Sequence, residues 1–258
     1  MHTELRLNLP VLYGFLIALA RVSGVVAFVP IPGLRDAPEA PRVVLALALT
    51  FVLLPVWPSM SMANDVSATG LAVAAAAEFS IGLLMGLTVA VLFEGIQLAA
   101  QMIGLPAGFS YASTVDPNTQ ADSSVLQIMM QLFAGLLFFG LRFDRQVIQI
   151  LLRSFDTLPP GAYPFQALPY QAVVRMSSAI FTTGLRLALP VLALMALLDI
   201  AIAVLGRVQS QLQLLPLSFS LKMLGSLGML AGASAFYPQV IESAGNRLFG
   251  ALGRLLVP

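Results

Sequence analysis

The sequence predicts an all-α, polytopic membrane protein, and three observations carry that reading. Of 258 residues, 59% are hydrophobic and 10% charged, whereas a soluble domain carries about 25% charged residues. The mean hydropathy is +0.91. The apolar residues also gather into runs of bilayer length, which is about 20 residues at about 1.5 Å each. With 13 basic and 12 acidic residues, the chain cannot solvate the surface of a globule this size, which argues against a soluble enzyme. A net charge of +1 argues against nucleic-acid binding, and the apolar content against disorder. There is no cysteine for a disulfide framework, and the single histidine, His2, offers little for metal ligation or acid–base work. No cofactor and no metal site is expected.

Six apolar runs follow in order. Residues 9–31 are interrupted only by Arg21; the run is too long for a signal-peptide core and no small-residue cleavage site follows it, so it reads as a retained helix. Residues 42–57 form a shorter run closed by Pro55 and Pro58. Residues 70–107 are long for one crossing and contain Glu78 and Glu94. Residues 125–141 can continue as an amphipathic helix to Phe155. Residues 173–206 are again overlong, with Arg186, Pro190 and Asp199 inside. Residues 212–236 carry Pro216 and Lys222. The tail, 237–258, alternates Glu242, Arg247 and Arg254 with apolar residues, as an interfacial or partner-facing helix does. Proline and glycine clusters mark the connections at 30–41, 57–69, 104–124 and 158–169. None reads as an interdomain linker, so a single domain over 1–258 is expected. No internal repeat stands out, which weakens an inverted-repeat transporter.

Basic residues in short loops belong on the cytoplasmic side. Arg35 and Arg42 flank the first connection, and Arg142, Arg145 and Arg153 follow the fourth run. Simple alternation of six spans puts these two groups on opposite sides. Splitting 70–107 into two crossings repairs the pattern but leaves short halves. Either that segment bends, or the chain does not sit in lipid as an ordinary bundle.

Arg21, Glu78, Glu94, Arg186, Asp199 and Lys222 lie within apolar stretches, where each costs about 2.5–3.5 kcal/mol at a helix centre on the insertion scale. They are tolerable if they pair, face a wet cavity or contact other subunits. A proton or ion relay and structural pairing within an assembly both fit. Gly82 with Gly86, Gly104 with Gly108, and Gly228 with Gly232 form GxxxG pairs suited to close helix packing. Met102, Met129 and Met130 offer adaptable apolar contacts or ordinary core filling. No P-loop, cofactor-type glycine fingerprint, metal-ligand cluster or nucleophile–histidine arrangement is present. Ser110, Ser113 and Thr114 have no histidine to activate them.

The segment Gly104-Leu-Pro-Ala-Gly-Phe-Ser-Tyr-Ala-Ser-Thr-Val-Asp-Pro-Asn118 separates two strong apolar runs. Its glycines and Pro106 break a helix, Asp116-Pro117 favours a turn, and Asp122 or Ser123 can cap the helix that follows. Phe109 and Tyr111 are aromatic among small and polar neighbours. Non-helical backbone at membrane depth requires protein or water around it. A re-entrant gate and a surface turn resting on headgroups both fit.

Glu78-Phe-Ser-Ile-Gly-Leu-Leu-Met-Gly86, then Gln97-Leu-Ala-Ala-Gln-Met-Ile-Gly104, then the loop ending in Asp116-Pro117 resemble the FliR/SctT family of type III export-gate proteins. Further pieces agree in order: Arg21 with Pro30 and Pro41-Arg42, Ser154-Phe155 before Pro159, Gly184 to Pro190 with Asp199, and Arg207 with Gln211 before Lys222. The resemblance covers nearly the whole chain, and the proline pattern near its start is closer to the flagellar branch than to the injectisome one. The chain departs from the family at Leu141-Arg-Phe-Asp144, where a Gly-His step is usual, and at Ser210 and Ser220, where prolines are frequent. These departures bear on local partner contacts rather than on the overall assignment.

The resemblance implies an assembly role and not a catalytic one. Members of this family join several copies of FliP and FliQ in a helical complex at the bacterial inner membrane, in the flagellar basal body, with FlhB against the gate and FlhA beneath it. Their helices are strongly bent and the complex is raised from the usual membrane plane. That would account for the charge-bias anomaly and for charges within apolar runs. The family's plug matches residues 104–122, so Gly104, Gly108, Phe109, Ser110, Tyr111, Asp116 and Pro117 would obstruct a pore until an unfolded export substrate passes. A proton-coupled secondary transporter, using Glu78, Glu94, Arg186 and Asp199 as a relay, is the competing reading from the residues alone.

Overall fold

The computed structural model describes residues 9–28, 39–53, 68–109, 125–159, 170–208 and 214–256. Every regular element among them is a helix: α1 (Leu9–Phe28), α2 (Glu39–Val52), α3 (Ala68–Gly104), α4 (Val125–Gly140), α5 (Phe143–Thr157), α6 (Tyr170–Val208), α7 (Leu214–Ala233) and α8 (Tyr237–Leu256). The prolines explain much of this punctuation. Pro10, Pro41, Pro216 and Pro238 fall within the first turns of α1, α2, α7 and α8, where the missing N–H has no helical partner to lose. Pro190 is the exception inside a helix, and α6 continues through it.

The segment at 70–107 is not split into two helices. No proline interrupts it before residue 106, and α3 runs unbroken for 37 residues. By contrast, the amphipathic continuation expected from 125 to 155 is broken. Leu141 N–H still donates to Leu137 O at 2.8 Å, but Arg142 adopts φ 59 and ψ 31, a left-handed conformation that costs an L-residue about 1–2 kcal/mol. The helix restarts as α5 with Asp144 in its first turn, the favourable end for an acid.

Helices Val11–Phe28, Thr69–Gly104 and Val173–Val208 are long and apolar enough to cross a membrane. The α4/α5 and α7/α8 pairs are each bent at a short break, the second by 63°, and counting each as one span gives up to five. This is a polytopic all-helical membrane protein.

The chain divides into two compact units. The first holds α1, α2, α3 as far as Ala90, α5, the start of α6 and α8 from Arg247. Its core stacks Ile17, Val22 and Val25 of α1, Ile81, Met85 and Val89 of α3, Val147 and Leu151 of α5, and Leu252 of α8. Ring pairs add Phe15 with Phe51 at 5.3 Å and Phe143 with Phe249 at 5.4 Å. The second unit holds the rest of α3, α4, α6 from Ser177, α7, and α8 as far as Asn246. There Leu126, Met130, Ala134 and Phe138 line up at four-residue spacing on the buried face of α4, with Phe93 and Phe138 at 5.6 Å. Tyr237, buried, donates its hydroxyl to Leu187 O at 3.2 Å, one residue past the carbonyl that Pro190 leaves without a helical donor. The tail helix α8, expected to face an interface or a partner, turns its apolar residues Val240, Ile241, Ala244, Leu248, Phe249 and Leu252 into the chain. Its outward residues are polar.

Candidate functional site

An isolated guanidinium is among the most expensive groups to bury, and Arg21 is fully buried on the packed face of α1. Every nitrogen of its head is engaged. Nε donates to Glu78 Oε2 at 2.6 Å, Nη1 to Ser154 O at 2.8 Å and Ser154 Oγ at 3.1 Å, and Nη2 to Leu158 O at 2.9 Å. The head lies 4.4 Å from the centre of the Phe155 ring. Glu78 is equally sealed, at 0% exposure. Ser154 and Leu158 stand at the C-terminal turn of α5, where Ser154 O already accepts from Leu158 N–H at 3.0 Å and the last carbonyls are partly negative. One side chain thus neutralises a carboxylate on α3 and caps α5, joining three helices.

Close backbone approach makes this possible. A Cβ at Gly82 would collide with Arg21 O, and one at Gly24 with Phe79 O; at Gly86 it would stand 2.6 Å from Val25 O. Gly24 lies one turn beyond Arg21, and Gly82 one turn beyond Glu78. Gly24 was not singled out from sequence, and Ser154 was named only within the Ser154-Phe155 motif, with no partner assigned. The available signal was a glycine three or four residues past a charge on each of two apolar helices.

The other charges are placed differently. Asp199 of α6 and Lys222 of α7 form an ion pair, with side chains 54% and 19% exposed. Glu94 and Arg186 lie on exposed faces of α3 and α6. A second close approach in the same unit sets Gly95 against Gly184, where a Cβ at Gly184 would be 3.0 Å from Gly95 O. Gly228 and Gly232 have nothing within 4 Å of a built Cβ. Met129 and Met130 border an apolar cavity of about 290 Å³ with Phe133, Leu227, Leu230 and Tyr237.

Of the loop after α3, the structure describes residues as far as Phe109; Ser110, Tyr111, Asp116 and Pro117 lie outside the described residues. Gly104, buried, ends α3, and its carbonyl accepts from Phe109 N–H at 3.0 Å. Gly108 has φ +86, which glycine adopts without strain, and the Phe219 ring lies 3.2 Å from where its Cβ would be. Leu105 is exposed and Ala107 fully buried, so the helix ends in a tight, anchored turn.

Overlong apolar helices, a sealed charge node and further charges on outward faces define a polytopic membrane protein of the multi-helix type, and the described residues contain no group of three or more His, Cys, Asp or Glu that could hold a metal ion. The chain belongs to the family of bacterial export proteins, family 1, whose model matches residues 12–248. It is 30% identical over 243 residues to the flagellar biosynthetic protein FliR of Escherichia coli (strain K12), covering 92% of this chain and 90% of that protein. It is 25% identical over 222 residues to the protein of the same name from Bacillus subtilis (strain 168), with 84% of each covered. The FliR protein of Aquifex aeolicus (strain VF5) is 23% identical over 215 residues, covering 83% and 82%.

Proposed function

We propose that this chain is a non-enzymatic subunit of the flagellar type III export gate, acting as a single domain over its whole length. With FliP and FliQ it forms the channel through which unfolded flagellar substrates cross the inner membrane, and the 104–122 loop is the plug. FlhB and FlhA are its neighbours at the basal body. The observation that carries this reading is the outward face of α6. Only 22% of an 18-residue apolar window in it is buried, yet that helix bears Arg186 and Asp199 at exposed positions. Charge at membrane depth is costly against acyl chains, so such a face fits a protein partner better than lipid.

Gating is steric. Small residues let the loop enter a narrow pore, Phe109 and Tyr111 fill it, and glycines permit its withdrawal. The turn at 104–109 supports this reading, because it gives the loop a fixed base.

Co-expression with the cognate FliP and FliQ, followed by native mass determination in mild detergent, tests the assignment. A stable hetero-oligomer containing this chain is expected. Partners that assemble fully without it, together with proton-coupled transport by the purified chain alone, would move the assignment to a secondary transporter. Within an assembled complex, deleting residues 107–113 is expected to leak ions, and a wild-type leak level would remove the plug role.

A further inference from the structure

The second half of α3 carries a polar stripe that the Arg21 node does not use. Glu94, Gln97 and Gln101 follow at spacings of three and four residues, which puts them on one side of the helix, and the residues between them are glycine, isoleucine, leucine and alanine. Phe93 and Gly95, on either side of Glu94, turn to the two flanks. The Phe93 ring packs against Phe138 of α4 at 5.6 Å, and Gly95 meets Gly184 of α6 at backbone distance. The stripe therefore runs along the side of α3 between those two contacts. Glu94 and Gln101 are exposed on it. Gln97, at the edge nearer Phe93, is only 7% exposed, and its side chain has no hydrogen-bond partner among the described residues.

A buried carboxamide without a partner is costly and calls for an explanation. Polar side chains on an apolar helix turn to water or to protein rather than to acyl chains. In the same unit the outward face of α6 is the opposite case, where Phe181, Leu189, Leu197 and Ile200 are exposed. The chemistry of the stripe is also specific in kind. A carboxamide carries both an acceptor and a donor, which complements a peptide group whatever side chain that group bears. Gln101 stands three residues before Gly104, whose carbonyl accepts from Phe109 N–H in the turn that ends the helix. The stripe thus leads to the base of the loop proposed as the plug.

We infer that Glu94 and Gln101 line a water-filled passage beside the plug, and that the carboxamides of Gln97 and Gln101 hydrogen-bond the backbone of the polypeptide in transit. This rests on the gate reading given above. Neutral hydrogen bonds exchanged with water hold a ligand weakly, as a chain that must keep moving requires.

The test places a photocrosslinking amino acid at position 101, or at 197 as a control, in the full-length chain within cells that carry the complete export machine. An export substrate fused to a domain too stably folded to pass jams the gate. Residue 101 is expected to crosslink to the jammed substrate, and residue 197 is not. Because the chain has no cysteine, Gln101→Cys supplies its one thiol. A membrane-impermeant maleimide should label that thiol in the assembled complex once residues 107–113 are deleted, and should leave Leu197→Cys unlabelled. Gln97→Leu with Gln101→Leu should slow secretion severalfold with recovery of the complex unchanged. Three results would each overturn the inference and leave the gate assignment standing: a complex that holds the jammed substrate while residue 101 crosslinks only to a partner subunit, an unlabelled Gln101→Cys in the deletion complex, or unchanged secretion by the leucine variant. An assembled complex that holds no jammed substrate removes the gate assignment, and the inference with it.

Discussion

The Arg21–Glu78 and Asp199–Lys222 pairs each join two apolar helices, yet the chain closes around the first and leaves the second partly open. Arg21 and Glu78 are both fully buried, and the guanidinium has further acceptors on α5. Asp199 keeps 54% of its side chain exposed, on a helix whose other outward residues include Leu197 and Ile200. The helices that carry them differ in the same sense: 67% of an 18-residue apolar window in α3 is buried, against 22% of the corresponding window in α6. Composition does not set this contrast, since both stretches are 36 residues long and the less buried one has the more apolar window. Glycines placed for contact do, because Gly82 and Gly86 draw α3 onto α1 at backbone distance. The first pair is thus a structural pin of the lone chain, and the second is one that the lone chain leaves partly open.

The largest expected effect tests the pin. Arg21→Ala leaves the Glu78 carboxylate buried without a cation and should cost about 3–5 kcal/mol, read by thermal unfolding in detergent with circular dichroism. Replacing both partners, as Arg21→Met with Glu78→Leu, removes the stranded charge. It still deprives Leu158 O of the Arg21 donor, while Ser154 O keeps the Leu158 N–H, so about 1–3 kcal/mol of the loss should remain. A double variant as stable as wild type would show that capping α5 contributes nothing.

Glycine substitutions sharpen the same contrast at a smaller scale. Gly82→Ala forces α1 and α3 apart or bends them, at about 1–3 kcal/mol. Gly228→Ala meets open space and should stabilise the isolated chain by up to about 1 kcal/mol through helix propensity. If Gly228→Ala nevertheless weakens a FliP–FliQ complex, a partner helix lies against α7. Equal effects of the two substitutions on the isolated chain would remove the contrast.

These sites were unequally legible in the sequence. The apolar runs announced α1, α3, α6 and α7 because bilayer-length hydrophobicity is a one-dimensional signal. Arg21 and Glu78 were visible as anomalies, but their partnership spans 57 positions and depends on how α1 crosses α3. The contribution of α5 was less visible still, since two of Arg21's acceptors are backbone carbonyls, and any residue supplies those. Asp199 and Lys222 looked the same as Arg21 and Glu78 in sequence, because burial is decided by neighbours and not by the run containing the charge. The break at Arg142 had only an indirect signal, the Gly-His step usual in the family where this chain reads Leu141-Arg-Phe-Asp144, since arginine itself carries no preference for a left-handed backbone.

The open pair should separate stability from assembly. Asp199→Asn or Lys222→Met should change the unfolding of the isolated chain by no more than about 1 kcal/mol, as for other exposed pairs. Either change should nevertheless reduce recovery of the hetero-oligomer from co-expressing cells. The charge swap, Asp199→Lys with Lys222→Asp, restores the attraction between α6 and α7 but reverses what a neighbour meets. Full recovery of the complex by the swap would make this pair a second internal pin and end the distinction drawn between the two regions.

The smallest effect concerns a position outside both pairs. Arg142→Gly removes a left-handed backbone penalty of about 1 kcal/mol, but it also frees the unfolded chain, which offsets part of the gain. A net stabilisation of about 0.5 kcal/mol is expected, read as a small upward shift of the melting midpoint. Arg142→Ala keeps the strain and removes the charge, so it should show no such gain. If alanine stabilises as much as glycine, repulsion among Arg142, Arg145 and Arg153 is the dominant cost at the break, and the backbone conformation is secondary to it.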